Sequence, residues 1–219
     1  MKKLEMKQWL PLIGMTLAAF IFNTSEFMPI GLLTSIATAF SISESQAGIM
    51  ITAYSWAVMI LSVPLMIAVS KVSFKPMLLV TLAVFAIGQI LSGIAPTFLI
   101  LIIARLIVAS AHAIFWSVAS VIAVKLVDEQ HRDFAMSMIV TGTSIAMIFG
   151  LPLGRIVGLY LGWRMTFILV GIIALALFAF QSIVFPALDK PEPFKVNQLP
   201  LLFKNKSLVS IFIVSFLFA

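Results

Sequence analysis

Residues 141–167 read TGTSIAMIFGLPLGRIVGLYLGWRMTF, with Arg155 and Arg164 as the only charges. Gly142, Ala146, Gly150, Gly154, Gly158 and Gly162 recur every fourth position, and Pro152 falls between them. Residues four apart share one face of an α-helix. The segment therefore predicts a helix with a flat stripe of small side chains, along which another helix approaches closely. Pro152 predicts an interruption, because proline lacks the N–H and crowds the preceding turn. The stripe has two readings: packing within one bundle, or an interface to a second half that slides or rocks.

Outward from this block the chain stays apolar. Of 219 residues, 62% are hydrophobic and 10% charged, with a mean hydropathy of +1.18; soluble domains are roughly 45–50% apolar and 25% charged. This is the composition of an integral membrane protein. Apolar runs near 10–33, 47–69, 76–96, 98–124, 134–160 and 164–187 each meet the ~20 residues a bilayer requires. A further run starts at Ser207 and reaches Ala219, the expected beginning of a seventh span. The expected division is a six-helix bundle over 1–187, a charged, proline-containing linker over 188–206, and that seventh span over 207–219. The fold class is all-α membrane.

Basic residues set the orientation. Lys2, Lys3, Lys7, Lys71, Lys75, Lys125, Arg132, Lys190, Lys195, Lys204 and Lys206 fall on one side, whereas the opposite loops carry Arg164 alone. The positive-inside rule places the N-terminus in the cytoplasm. The net charge of +6 is spread through short loops, unlike the clustered basic face of a nucleic-acid-binding domain. The lysines before the first span resemble a signal peptide, but the apolar run outlasts a signal core and predicts a retained span. With no cysteine there is no disulfide and no thiolate metal site.

At an offset of 88 residues the first three spans fall on the second three, and PLMIAV at 64–69 aligns with PLGRIV at 152–157. Three spans followed by three inverted ones is the repeat within each half of a facilitator-type transporter.

Eight carboxylates are present. Glu5, Glu44, Asp128, Glu129, Asp133, Asp189 and Glu192 fall in loops or tails, which leaves Glu26, within FIFNTSEFMPIGLL at 20–33, as the one inside a span. Ionisable groups in spans mark function by default. Arg105, entering the fourth span from the outer side, matches Glu26 at a depth of roughly 12 Å, which predicts an ion pair or short polar network. Its structural alternative is a static buried bridge. Arg105, Ala109, His112 and Trp116 share a helical face. His112 near the midplane suits hydroxyl binding or proton relay. Asn23, Tyr54, Trp56 and Trp116 suit hydroxyl bonding and ring stacking in a substrate cavity. A phosphate-binding G-x-x-x-x-G-K-[ST] loop is absent, and His112 and His131 are too far apart for a zinc helix. No enzyme activity, cofactor or metal is expected.

AAFIFNTSEFMPIGLL at 18–33, AHAIFWS at 111–117 and, most specifically, residues 141–167 resemble the major facilitator superfamily. Within it they are similar to the twelve-span proton-antiporter exporters, and particularly to SotB-type sugar efflux transporters. The resemblance implies that Arg105 is the coupling arginine of the fourth span. It also implies that Gly150, Pro152 and Gly154 form the antiporter-motif hinge, packed against the C-terminal half. It implies sugar export, of arabinose or thiogalactoside-like compounds, driven by protons across the bacterial inner membrane. The loop after the second span departs from the family's Gly, Asp, Arg, Gly pattern, reading Met66, Ser70, Lys71 and Ser73.

The resulting expectation is the N-terminal half of a proton-coupled sugar exporter. Its partners are a small-molecule sugar, protons, the lipid bilayer, and a C-terminal half or a second copy. Alternatives are a multidrug exporter fragment, a non-transporting membrane interaction subunit, and a gene remnant.

Overall fold

The computed structural model describes residues 4–188, 207 and 209–211. The predicted 188–206 linker and the 207–219 segment lie almost wholly outside them. Among the described residues are eight α-helices: α1 (Met6–Gly31), α2 (Leu33–Phe40), α3 (Glu44–Val69), α4 (Phe74–Ile94), α5 (Phe98–Lys125), α6 (Arg132–Ile145), α7 (Leu151–Leu161) and α8 (Trp163–Val184). A π-helical turn, Ala146–Gly150, joins α6 to α7, so the six predicted spans are all present.

Local chemistry sets the ends. Ser43 and Gln46 form a reciprocal capping box at α3. The Thr97 hydroxyl accepts from Ile100 N–H at the start of α5. Gly162 turns the chain between α7 and α8 at φ +85°, a conformation that favours glycine. Although it continues the four-residue spacing, Gly162 has no heavy atom within 4 Å of where a Cβ would stand, so it serves the turn and not the stripe. The first span runs past its predicted end: after a break at Leu32, α2 carries the helix on to Phe40.

The stripe packs against α1. A Cβ on Gly142 would stand 2.5 Å from the Thr16 carbonyl oxygen, one on Gly150 2.8 Å from Thr24 Oγ1, and one on Gly154 2.7 Å from Met28 Cβ; Gly158 faces Leu32. Each glycine lies opposite the residue 126 positions earlier, on α1 or, for Gly158, at its C-cap Leu32, the constant register of two parallel helices. The interface expected against a second half is therefore filled by α1 of this bundle. Span five instead turns large side chains outward, with Met147, Ile148, Phe149 and Leu153 all exposed. Of the two matched prolines, Pro152 follows the π turn, whereas α3 runs unbroken through Pro64.

The remaining pairings follow the repeat. α1 packs on the fifth span, α3 on α5, and α4 on α8. Exchanging spans one with four, two with five and three with six swaps the first two of these pairings and carries the third onto itself. Met59 and Ile60 of α3 and their repeat mates Met147 and Ile148 are exposed alike. Two cations staple α4 to α8. Lys75 Nζ donates to the Phe185 carbonyl (2.7 Å) at one end. Arg164 Nη2 donates to the Ala95 carbonyl (3.0 Å) at the other, its guanidinium 4.2 Å from the Trp163 ring. Arg164, the lone basic residue of the loops on its side of the bundle, thus has a structural partner.

Candidate functional site

Pro29, inside α1, has no N–H to give the carbonyl four residues before it, that of Ser25. Arg105 supplies the donors from α5. Its Nη2 donates to the Ser25 carbonyl at 3.1 Å and its Nη1 to Ser25 Oγ at 3.2 Å. Ser25 Oγ also accepts from Gln89 Nε2 of α4. The Tyr54 ring covers the guanidinium at 4.4 Å and Phe167 lies 5.6 Å from it. Arg105 is 2% exposed, so a buried charge is held by neutral acceptors and aromatic faces.

The expected Glu26–Arg105 ion pair is not formed: among the described residues no contact within 4 Å joins the two. The reason is azimuth. Successive helix residues point about 100° apart, so the side of α1 that offers Ser25 to Arg105 turns Glu26 elsewhere. Glu26 Oε2 instead stands 3.6 Å from His112 Nε2. At that separation the two groups interact electrostatically but are not hydrogen-bonded, which requires about 2.6–3.2 Å.

His112 is buried, its ring near Phe22 (5.9 Å), Tyr54 (5.6 Å) and Trp116 (6.0 Å). Glu26 and Arg105 still meet as walls of one cavity of about 90 Å³, shared with Tyr54 and Ser55 among apolar side chains of α1 and α3. Of the residues predicted to line a substrate cavity, Tyr54 lines this one. His112 stands behind Glu26, and Trp116 contacts the His112 ring. Asn23 is buried, with its Oδ1 unpartnered, and Trp56 faces outward. Tyr54 Oη, Arg105 Nε and His112 Nδ1 also lack partners, so this region holds hydrogen-bonding capacity that the protein does not consume. Among the described residues no three His, Asp or Glu side chains gather to hold a metal.

Gly150, Pro152 and Gly154 lie where the fifth span crosses Thr24 and Met28 of α1. The wider π turn accommodates the backbone ahead of Pro152, whose missing N–H leaves the Ile148 carbonyl without its usual partner. Two participants escaped the sequence reading. Ser25, beside Glu26, has no role in the site on the sequence reading. Gln89 was signalled only by being the one carboxamide in an otherwise apolar span, with no charge to draw attention.

A six-helix apolar bundle with internal pseudo-two-fold pairing, carrying a carboxylate, an imidazole and a guanidinium within its spans, defines a multi-pass membrane protein. The chain belongs to the Major Facilitator Superfamily, whose family model matches residues 15–219. Solved structures share the fold. A bacterial homolog of the human lysosomal transporter Spinster, inward-facing and unoccupied, aligns with a TM-score of 0.75 at 16% identity, covering 92% of this chain and 49% of that one. A peptide transporter POT in complex with sulfate gives 0.70 at 12%, covering 96% and 45%. The transporter FucP in the outward conformation gives 0.62 at 18%, covering 91% and 56%. The chain thus spans about half the length of the transporters it matches.

Proposed function

We propose that this chain forms one six-helix half of a proton-coupled exporter. In this reading it is a carrier and not an enzyme, it sits in the bacterial cytoplasmic membrane with its N-terminus inside, and its cargo is a sugar of the arabinose or thiogalactoside type. Residues 1–187 form the bundle, 188–206 the connection and 207–219 the start of a seventh span. The observation that carries the coupling is the Glu26–His112 contact at 3.6 Å, a carboxylate inside a span facing a buried imidazole. The half-length match to complete transporters supports the division. The similarity of residues 18–33, 111–117 and 141–167 to sugar exporters supports the cargo.

Proton entry neutralises Glu26 and alters its hold on His112. The cavity wall that Glu26 shares with Arg105 and Tyr54 then changes charge, so proton and cargo compete through one local field. Arg105 itself stays tied to Ser25. A second half supplies the facing wall, about which the bundle rocks.

The test is Glu26→Gln in the intact transporter, reconstituted in vesicles. A one-unit pH gradient is worth about 1.4 kcal/mol per proton, or roughly tenfold accumulation. The variant is expected to lose that tenfold while still exchanging labelled sugar for unlabelled. Gradient-driven accumulation equal to the parent's rules out the coupling role. The mostly apolar lining around Glu26 and Tyr54 favours a second reading, a multidrug exporter. Export of amphipathic cations with no sugar flux selects it.

A further inference from the structure

Gln89 is fully buried in the penultimate turn of α4, a helix that is otherwise apolar from Met77 to Leu91 apart from Thr81. Burying a carboxamide costs roughly 1–3 kcal/mol unless hydrogen bonds repay it. Its oxygen Oε1 has no partner, and its amide donates to Ser25 Oγ. What Gln89 provides must therefore pass through Ser25.

Ser25 is where three helices meet. It lies on α1, accepts from Gln89 of α4, and accepts twice from Arg105 of α5. Because Pro29 withholds the N–H that would fix the Ser25 carbonyl, this turn of α1 is held by side chains from its neighbours. Glu26 is the next residue, so the azimuth of that turn decides whether its carboxylate reaches His112.

We propose that Gln89 is a positioning residue for proton coupling: by gripping Ser25 it seats Arg105 against α1 and aims Glu26 at His112. This rests on the coupling reading above. It extends that reading to a helix that contributes no side chain to the cavity.

The charged and titratable groups around the pair are few. α5 brings Arg105 and α3 brings Tyr54. α7 brings Arg155 alongside Gly31, an outer turn of α1. Lys75 of α4 and Arg164 of α8 are committed to backbone carbonyls at the helix ends. α6 carries Arg132 and Asp133 at its start, and α2 carries none. A change at uncharged Gln89 thus adds or removes no charge near the pair, and any effect on its titration acts through geometry.

Trp116, with its ring 6.0 Å from that of His112, reports the titration, because an imidazolium quenches indole fluorescence more strongly than a neutral imidazole. In the intact protein with every tryptophan other than Trp116 replaced by Phe, including Trp9, Trp56 and Trp163, the fluorescence of Trp116 is followed against pH. Gln89→Met, close in shape but unable to grip Ser25, is expected to move the midpoint by at least about half a pH unit, the scale of a lost local interaction. Ser25→Ala should move it similarly, and the double variant no further than Ser25→Ala alone. If Gln89→Met does not fold, Ser25→Ala and Gln89→Leu carry the comparison. A parent protein with no titration overturns the proposal, as does a folded Gln89 variant whose midpoint stays with the parent's. A midpoint that moves as expected in a protein lacking gradient-driven flux leaves this inference standing and removes the coupling reading instead.

Discussion

Arg105 shows how a membrane bundle keeps a buried cation without a carboxylate. The Ser25 carbonyl is available because of one proline, and a forked donor under an aromatic ring uses it. Arg105→Lys should therefore fail as a conservative change, since one ammonium cannot bridge the carbonyl and the hydroxyl while lying flat under Tyr54. The expected cost is about 1–3 kcal/mol of unfolding free energy in detergent, from acceptors left unpaired; stability equal to the parent's would contradict the geometry. Charge census alone made Glu26 distinctive. Its partner was not legible, because matching two residues for depth fixes their height along the helices but not the directions they face.

At the scale of elements, the contact between α1 and the fifth span separates glycines that look equivalent in sequence. A methyl on Gly142 meets the Thr16 carbonyl and one on Gly150 meets the Thr24 backbone, at 2.5 and 3.1 Å. On Gly158 it meets only the far end of the Leu32 side chain, which can change rotamer. Gly142→Ala and Gly150→Ala are each expected to cost about 1–3 kcal/mol through forced helix separation. Gly158→Ala should cost under ~1 kcal/mol, since the helix propensity gained by alanine offsets most of the strain. Denaturant titration of the purified variants checks the order, and equal losses at all three positions would count against the register. The spacing of four announced a close helix contact. It could not name α1 as the partner, because a stripe carries no address.

For the whole molecule, three pairings related by one pseudo-symmetry bury the small residues inside the bundle. They leave the large apolar faces of α3 and of the fifth span turned outward. Those two faces are exchanged by the same operation, and on the proposed function they are the ones that meet the second half. The cysteine-free sequence also makes topology easy to read. A membrane-impermeant thiol reagent applied to intact cells should label Thr97→Cys, between α4 and α5. Ser73→Cys, at the start of α4 beside Lys71 and Lys75, should react only after permeabilisation. The reverse pattern would invert the orientation.

The sequence by itself determined what depends on counts along the chain: the number of spans, the likeness of their two triplets, the interruption near Pro152, and the isolation of Glu26 among the acids. The tertiary structure decided what depends on directions around helix axes. It set α1 against the glycine stripe, gave Arg105 to Ser25 and Gln89, and turned Glu26 to His112. Burial patterns and residue spacing are written in one dimension. The azimuth at which two helices meet follows only from packing all six together, and on that azimuth the chemistry of this site depends.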